Sequence, residues 1–115
     1  MRYKDRLTCI IADTKLSMPG LLFGCPALGS AIGNVIPEIF VDMYNAVQVG
    51  DIKKAVELEL KVFKISESLR SPETGALHEG LAARGIPCGM TRLPVRMPNE
   101  KEKEIIHAAI SEYLK

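Results

Sequence analysis

Leu16-Ser-Met-Pro-Gly-Leu-Leu-Phe-Gly-Cys-Pro-Ala-Leu-Gly-Ser-Ala-Ile-Gly-Asn-Val-Ile-Pro37 contains no charged side chain, yet prolines at 19, 26 and 37 and glycines at 20, 24, 29 and 33 interrupt it throughout. A membrane-spanning helix needs about 20 apolar residues in one unbroken run, whereas a helix here would break at Pro26 and weaken at every glycine. The stretch reads instead as a short helix over 18–23, a tight turn at Gly24–Pro26 and a buried strand from Ala27 to Ile32. Upstream, Leu7-Thr-Cys-Ile-Ile-Ala12 forms a second apolar run of strand length. Strand, helix, strand is a βαβ unit, which places the two strands parallel.

Downstream of Pro37 the pattern turns helical. Proline is suited to a first helical position, where its missing N–H is not needed, and Ile39, Phe40, Met43, Tyr44 and Val47 then recur on one face until Gly50. Asp51 is placed to cap the next helix, in which Ala55, Leu58, Val62, Ile65 and Leu69 alternate at spacings of three and four. Val56, Leu60 and Phe63 widen that apolar face, and two heptads are too few for a coiled coil, so core packing is expected. Ser71-Pro72 marks a break. A third helix over 75–84 carries Ala76, Leu77, Leu81 and Ala82 and stops at Gly85. Three prolines between Ile86 and Pro98 dictate an extended surface connection. Asn99 with Glu102 forms a capping-box pattern that opens a last helix to about Leu114, burying Ile105, Ile106, Ala109, Ile110 and Tyr113.

The 115 residues allow one domain of modest size with a core of its own. A composition of 47% hydrophobic and 25% charged residues with a formal charge of +1 offers no electrostatic case for nucleic acid or membrane partners. The basic opening is followed by an apolar run that ends at Asp13, too short for a secretory core, so a cytoplasmic location is expected. Cys9, Cys25 and Cys88 are odd in number and widely spaced, which predicts buried, reduced thiols and no disulfide.

In order, these elements resemble the C-terminal part of the dihydrodipicolinate synthase and N-acetylneuraminate lyase family, pyruvate-dependent class I aldolases and lyases built on a (β/α)8 barrel. The most specific match is Gly24-Cys-Pro-Ala-Leu-Gly-Ser-Ala-Ile-Gly-Asn34 with Val35-Ile-Pro-Glu38, similar to the family's eighth strand, G-x-x-G-x-I-S-x-x-x-N, and its P-E helix start. Ala46 to Asp51 is similar to the A-x-x-G-D helix break, and Gly85-Ile-Pro with Arg92-Leu-Pro to the G-L-P and R-x-P of the tail. The resemblance implies an α/β fold, mainly helical by residue count. Residues 1–36 would be the last two βα units of the barrel and residues 37–115 a C-terminal helical region, together one structural unit.

The family's chemistry uses a lysine of the sixth strand, within K-D-S or K-D-T, that condenses with the carbonyl of pyruvate or another 2-keto acid. The resulting iminium is an electron sink for making or breaking a carbon–carbon bond, with a tyrosine of the fourth strand handling protons. By the family's spacing both fall ahead of Met1, so no catalytic residue is expected within these residues. Lys4-Asp5 lacks the hydroxyl residue and precedes the seventh strand, and it reads as a solvated pair. Lys15, just past a strand end, lies on the face where barrels keep their active sites. A Schiff-base lysine must be desolvated or set beside a cation, and two strands supply no such pocket.

Three positions match substrate-lining places of the family. They are Ala12, where a G-D pair usually has glycine, and Gly29 with Ser30 on strand eight. Asp13 keeps the acid of that pair. Gly29 is smaller than the family's isoleucine and enlarges the pocket, while Thr14 and Lys15 replace the acidic residues that sialic-acid lyases carry there. Other 2-keto acids are favoured.

No further motif competes. The glycines lack Walker spacing, His78 and His107 sit on separate helices without a second ligand, so no metal or cofactor is expected, and Ser30 has no histidine beside it. Two readings remain. One is the C-terminal portion of a Schiff-base aldolase or lyase, inactive until joined to the first six βα units. The other is a non-catalytic remnant serving as an interaction or oligomerisation module. Open strand edges predict association with the missing barrel part or with itself.

Overall fold

A computed structural model describes residues 5–70 and 73–114, so the expected break at Ser71-Pro72, and Lys4 of the Lys4-Asp5 pair, lie outside the described residues. Strand β1 (Ile10–Ile11) pairs in parallel with β2 (Ala27–Leu28), Ile10 facing Ala27 and Ile11 facing Leu28, and α1 (Ser17–Leu22) forms the crossover between them. The βαβ unit stands, but both strands are shorter than the runs 7–12 and 27–32. The register explains this. Cys9 would face Pro26, which has no N–H to extend the ladder, and after Gly29 donates to the Ile11 carbonyl at 2.8 Å the chain leaves the sheet. Ile32–Asn34 then form a 3-10 turn rather than strand.

Helix α2 (Pro37–Gln48) starts with proline in its first turn and packs beside α1. Its buried residues are Ile39, Phe40, Met43 and Ala46. Tyr44 and Val47 are expected on that face from their spacing, yet Tyr44 is exposed and Val47 half-buried. The stripe 39, 43, 46 carries the packing, and Ala46 lets the helix approach closely. Helix α3 (Ile52–Ser68) is capped by Asp51, whose Oδ1 accepts from the Lys54 N–H at 3.0 Å. Ala55, Leu58, Val62, Ile65 and Leu69 are all buried, as their spacing predicts. Val56 and Leu60 are exposed and Phe63 half-buried, because the seam of threes and fours already defines the inward face.

By contacts the chain divides within α3 into residues 1–63 and 64–115. The second unit contains α4 (Glu73–Ala83) and α5 (Glu100–Leu114), which pack on each other. Gly75, Ala76 and Gly80 are buried on α4, while Leu77 and Leu81 are half-buried and Ala82 exposed. On α5 only Ile106 and Ile110 are buried; Ile105 is exposed, and Ala109 and Tyr113 are half-buried. Two residues four apart suffice for a contact stripe of one helix on one neighbour. Gly85 takes φ of +79°, the left-handed conformation expected of a helix-ending glycine.

The segment between α4 and α5 is an exposed extended connection with a cis Leu93–Pro94 bond. Its end is firmly built. Glu102 N–H donates to Asn99 Oδ1 at 3.0 Å and Asn99 N–H to Glu102 Oε2 at 2.8 Å, a reciprocal capping box. Arg96 adds two bonds of 2.7 Å to the same carboxylate, and these bonds lead the effects that hold the Glu102 pKa down to about 2.

Gly20 shows how tightly α1 sits on the sheet. A Cβ there would lie 2.8 Å from Cβ and Cγ2 of Ile11, whose β-branched side chain has little freedom to move aside. Gly20→Ala gains about 1 kcal/mol of helix propensity and loses roughly 1–3 kcal/mol to overpacking. Net destabilisation is expected, while Gly29→Ala, with nothing within 4 Å of its Cβ, stays close to the parent. Urea unfolding of the two variants measures this, and a Gly20→Ala variant at least as stable as the parent contradicts the packing described.

Candidate functional site

The C-terminal ends of β1 and β2 bring the sequence-selected positions to one end of the sheet. Ala12 follows β1 and is exposed, and Gly29 and Ser30 follow β2, exposed and half-buried respectively. Asp13 is the N-cap of a 3-10 turn over Thr14–Leu16 and accepts from the Lys15 N–H at 2.8 Å. This local bond is what Asp offers at a turn. It commits the carboxylate to the backbone and sets the turn that carries Thr14. Thr14 Oγ1 and Ser30 Oγ are 2.8 Å apart, a hydroxyl–hydroxyl bond joining the two strand ends.

Below the pair lies Ser17, fully buried, whose Oγ donates to the Thr14 carbonyl at 3.0 Å. Asn34 donates from Nδ2 to the Ala31 carbonyl at 3.0 Å and so secures the turn after Ser30. A cleft of about 540 Å³ opens beside Ser30, bounded by Gly29, Gly33 and Asn34 on one side and by Phe40, Val41 and Tyr44 of α2 on the other. A methyl group at Gly29 would meet open space.

Two residues of this region belong to no functional motif in the sequence. Thr14 stands out there only for its lack of charge, although its position after β1 mirrors that of Ser30 after β2. Glu59 lies on α3 at four residues from Ala55 and three from Val62, a spacing that puts it on the buried face. It is buried, and neither carboxylate oxygen has a hydrogen-bond partner. Burial is the main cause pushing its pKa up. The Met18 N–H works the other way without reaching hydrogen-bond geometry, and the charge of Asp13 adds to the rise.

Elsewhere the expectations need adjustment. The thiols are free but not buried, Cys9 and Cys88 being exposed and Cys25 half-buried, because the ladder stops short of Cys9 and Cys88 lies in the surface connection. Neither histidine is isolated. His107 Nε2 lies 2.7 Å from Glu79 Oε1, and His78 Nδ1 lies 3.1 Å from the Gly89 carbonyl. Among the described residues no three His, Cys, Asp or Glu side chains gather as a metal site. Among them, too, no helix is long and apolar enough to cross a membrane.

The chain is similar to known proteins in both sequence and fold. The model of the dihydrodipicolinate synthetase family matches residues 1–113. An uncharacterized DapA-like lyase of Halobacterium salinarum is 31% identical over 107 residues, covering 92% of this chain and 35% of that protein. The 4-hydroxy-tetrahydrodipicolinate synthase of Methanocaldococcus jannaschii is 28% identical over 109 residues, 93% of this chain and 37% of the relative. In fold, the N-acetylneuraminate lyase from Mycoplasma synoviae superposes with a TM-score of 0.87 over 99% of this chain and 39% of its own, at 22% identity. The chain therefore spans little more than a third of the length of these relatives, and it belongs to the dihydrodipicolinate synthetase family.

Proposed function

We propose that these residues form the C-terminal portion of a Schiff-base-forming aldolase or lyase that acts on pyruvate or another 2-keto acid in the cytoplasm. Strands β1 and β2 serve as the last two of a (β/α)8 barrel, and the helices beyond them as its C-terminal extension. The imine-forming lysine and the proton-transferring tyrosine come from sequence outside these 115 residues.

The observation that carries this reading is the Thr14–Ser30 hydroxyl pair, 2.8 Å apart across the C-terminal ends of two parallel strands. Barrel enzymes keep their active sites on that face. Two hydroxyls so placed can each turn to donate to, or accept from, a carboxylate or hydroxyl of a bound 2-keto acid. Ala12 and Gly29 flank them with little bulk, leaving space for the substrate chain. Neither hydroxyl has a base to make it a nucleophile, so their work is binding and orientation.

Joined to the first six βα units of a relative, Thr14→Val and Ser30→Ala are expected to raise KM for the 2-keto acid by about tenfold each, the scale of one hydrogen bond to a charged group. Imine formation with pyruvate should persist in both variants. Unchanged KM in both would remove the pair from the substrate site.

A further inference from the structure

The pairing inside the β1–β2 sheet fixes which backbone groups line its two open edges. In a parallel pair, successive residues of one strand direct their N–H and C=O groups to opposite sides. Gly29 donates to the Ile11 carbonyl at 2.8 Å. Leu28 therefore turns its N–H and C=O away from β1, and Ile10 turns its own away from β2. Among the described residues these are the open edges, and the two strands run in the same direction.

Each edge has an uncharged surface beside it. The β2 edge forms one wall of the cleft of about 540 Å³ whose other wall is Phe40, Val41 and Tyr44 of α2, and no residue bounding that cleft is charged. The β1 edge belongs to the run 7–12, which is also without charge. Ile11 points towards α1, since a Cβ on Gly20 would meet its side chain at 2.8 Å. Ile10 projects from the opposite face of the sheet, into water.

The cleft thus fits an occupant with an unpaired parallel edge, an apolar face and no charge. The β1 edge of another copy has all three. Symmetric pairing of β2 with β2 would leave Leu7 and Ile10 of both copies in water, whereas β1 in the β2 cleft covers both kinds of edge at once. Such a contact is head to tail, and it repeats from copy to copy until the rotation closes a ring. Parallel strands with βα connections close at eight, and two strands per copy make that four copies. The interior of such a barrel is packed in layers of four side chains taken from alternate strands. Four copies of β1 are alternate strands, so four Ile10 side chains make one layer and four Ala27 the next.

We propose that this chain associates with itself head to tail, the β1 edge of one copy seating in the cleft beside β2 of the next, and that four copies close an eight-stranded parallel barrel. The inference concerns the chain on its own. It stands apart from the aldolase or lyase reading, in which other strands meet the same two edges.

Sedimentation equilibrium and native mass spectrometry of the full chain over a concentration series test it, with four chains as the expected upper limit. Ile10→Lys would bring four ammonium groups into one layer, and Val41→Lys would place one in the wall of the cleft. In the single chain these positions are 58% and 57% exposed, so neither change should disturb its fold, which far-ultraviolet circular dichroism checks. Each variant alone is expected to sediment as one chain at concentrations where the parent is assembled. Mixed in equal amounts, they should recover a two-chain species and nothing larger, because the Ile10→Lys copy keeps its cleft and the Val41→Lys copy keeps its β1 edge. Should one variant lose its fold, the parent and the other variant decide. An upper limit other than four chains, an assembly that a folded variant leaves intact, or a mixture of folded variants that stays monomeric overturns the proposal. Imine formation in a joined barrel is read by a separate experiment.

Discussion

Borohydride reduction of the isolated chain in the presence of pyruvate is expected to leave its mass unchanged, with no aldolase or lyase turnover. Imine formation begins with attack by a neutral amine, and enzymes obtain one by desolvating a lysine or placing it beside another cation. No described lysine meets that condition. Lys15, Lys53, Lys54, Lys61, Lys64 and Lys101 are exposed, and Lys103 is half-buried but held at 2.8 Å by Glu100, which raises its pKa and favours the charged form. Lys15 follows β1 but is exposed, so burial does not desolvate its amine. Intact mass measurement after reduction reads the outcome directly. A stoichiometric adduct on Lys15 or another lysine of this chain would sink the claim.

Concentration-dependent association is the second large effect expected. Among the described residues β1 and β2 pair only with each other, so each keeps an open edge, and an open edge is a template for another strand. The apolar surface around them is extensive. Leu7 is 61%, Ile10 58% and Phe23 82% exposed, with Leu22 and Val41 also facing water. Full burial of one such side chain is worth about 1.5–3 kcal/mol, while association costs about 4–15 kcal/mol in lost freedom. Several must be covered together, which calls for a second copy or the preceding barrel units and not a small ligand. Sedimentation over a concentration series should show a mass that rises with concentration, together with binding of a hydrophobic dye. A monomer at high concentration with cooperative unfolding and no dye binding would show that this surface is closed, and would favour a self-sufficient remnant over a part of a barrel.

The α3 seam is legible in the sequence because a single period of threes and fours governs one buried stripe, and all five of its residues are buried. The capping box at Asn99 and Glu102 is legible for the same reason, both partners lying within one turn. Strand length is not. It depends on what faces each residue across the sheet, and Pro26 opposite Cys9 ends the ladder in a way that neither apolar run reveals alone. Val56 and Leu60 stay exposed because the seam of threes and fours already defines the inward face.

At the site, the family motifs lead to Ala12, Gly29 and Ser30, but the partner of Ser30 lies sixteen residues away in another loop. Only the parallel pairing of β1 with β2 brings Thr14 to it. Glu59 carries a faint sequence signal, an acid at core spacing, and the structure buries it with neither carboxylate oxygen partnered.

If these residues complete a Schiff-base barrel whose lysine lies elsewhere, they should do so in a relative's framework. The decisive measurement grafts this chain in place of the matched C-terminal segment of the Halobacterium salinarum DapA-like lyase and reduces the product with borohydride in the presence of pyruvate. Condensation expels water, and hydride then fixes the imine as a secondary amine whose added mass and position are read by mass spectrometry. One adduct per chain is expected, on a lysine outside these 115 residues. A folded graft that acquires no adduct, or acquires it on a lysine within these residues, would contradict the barrel reading.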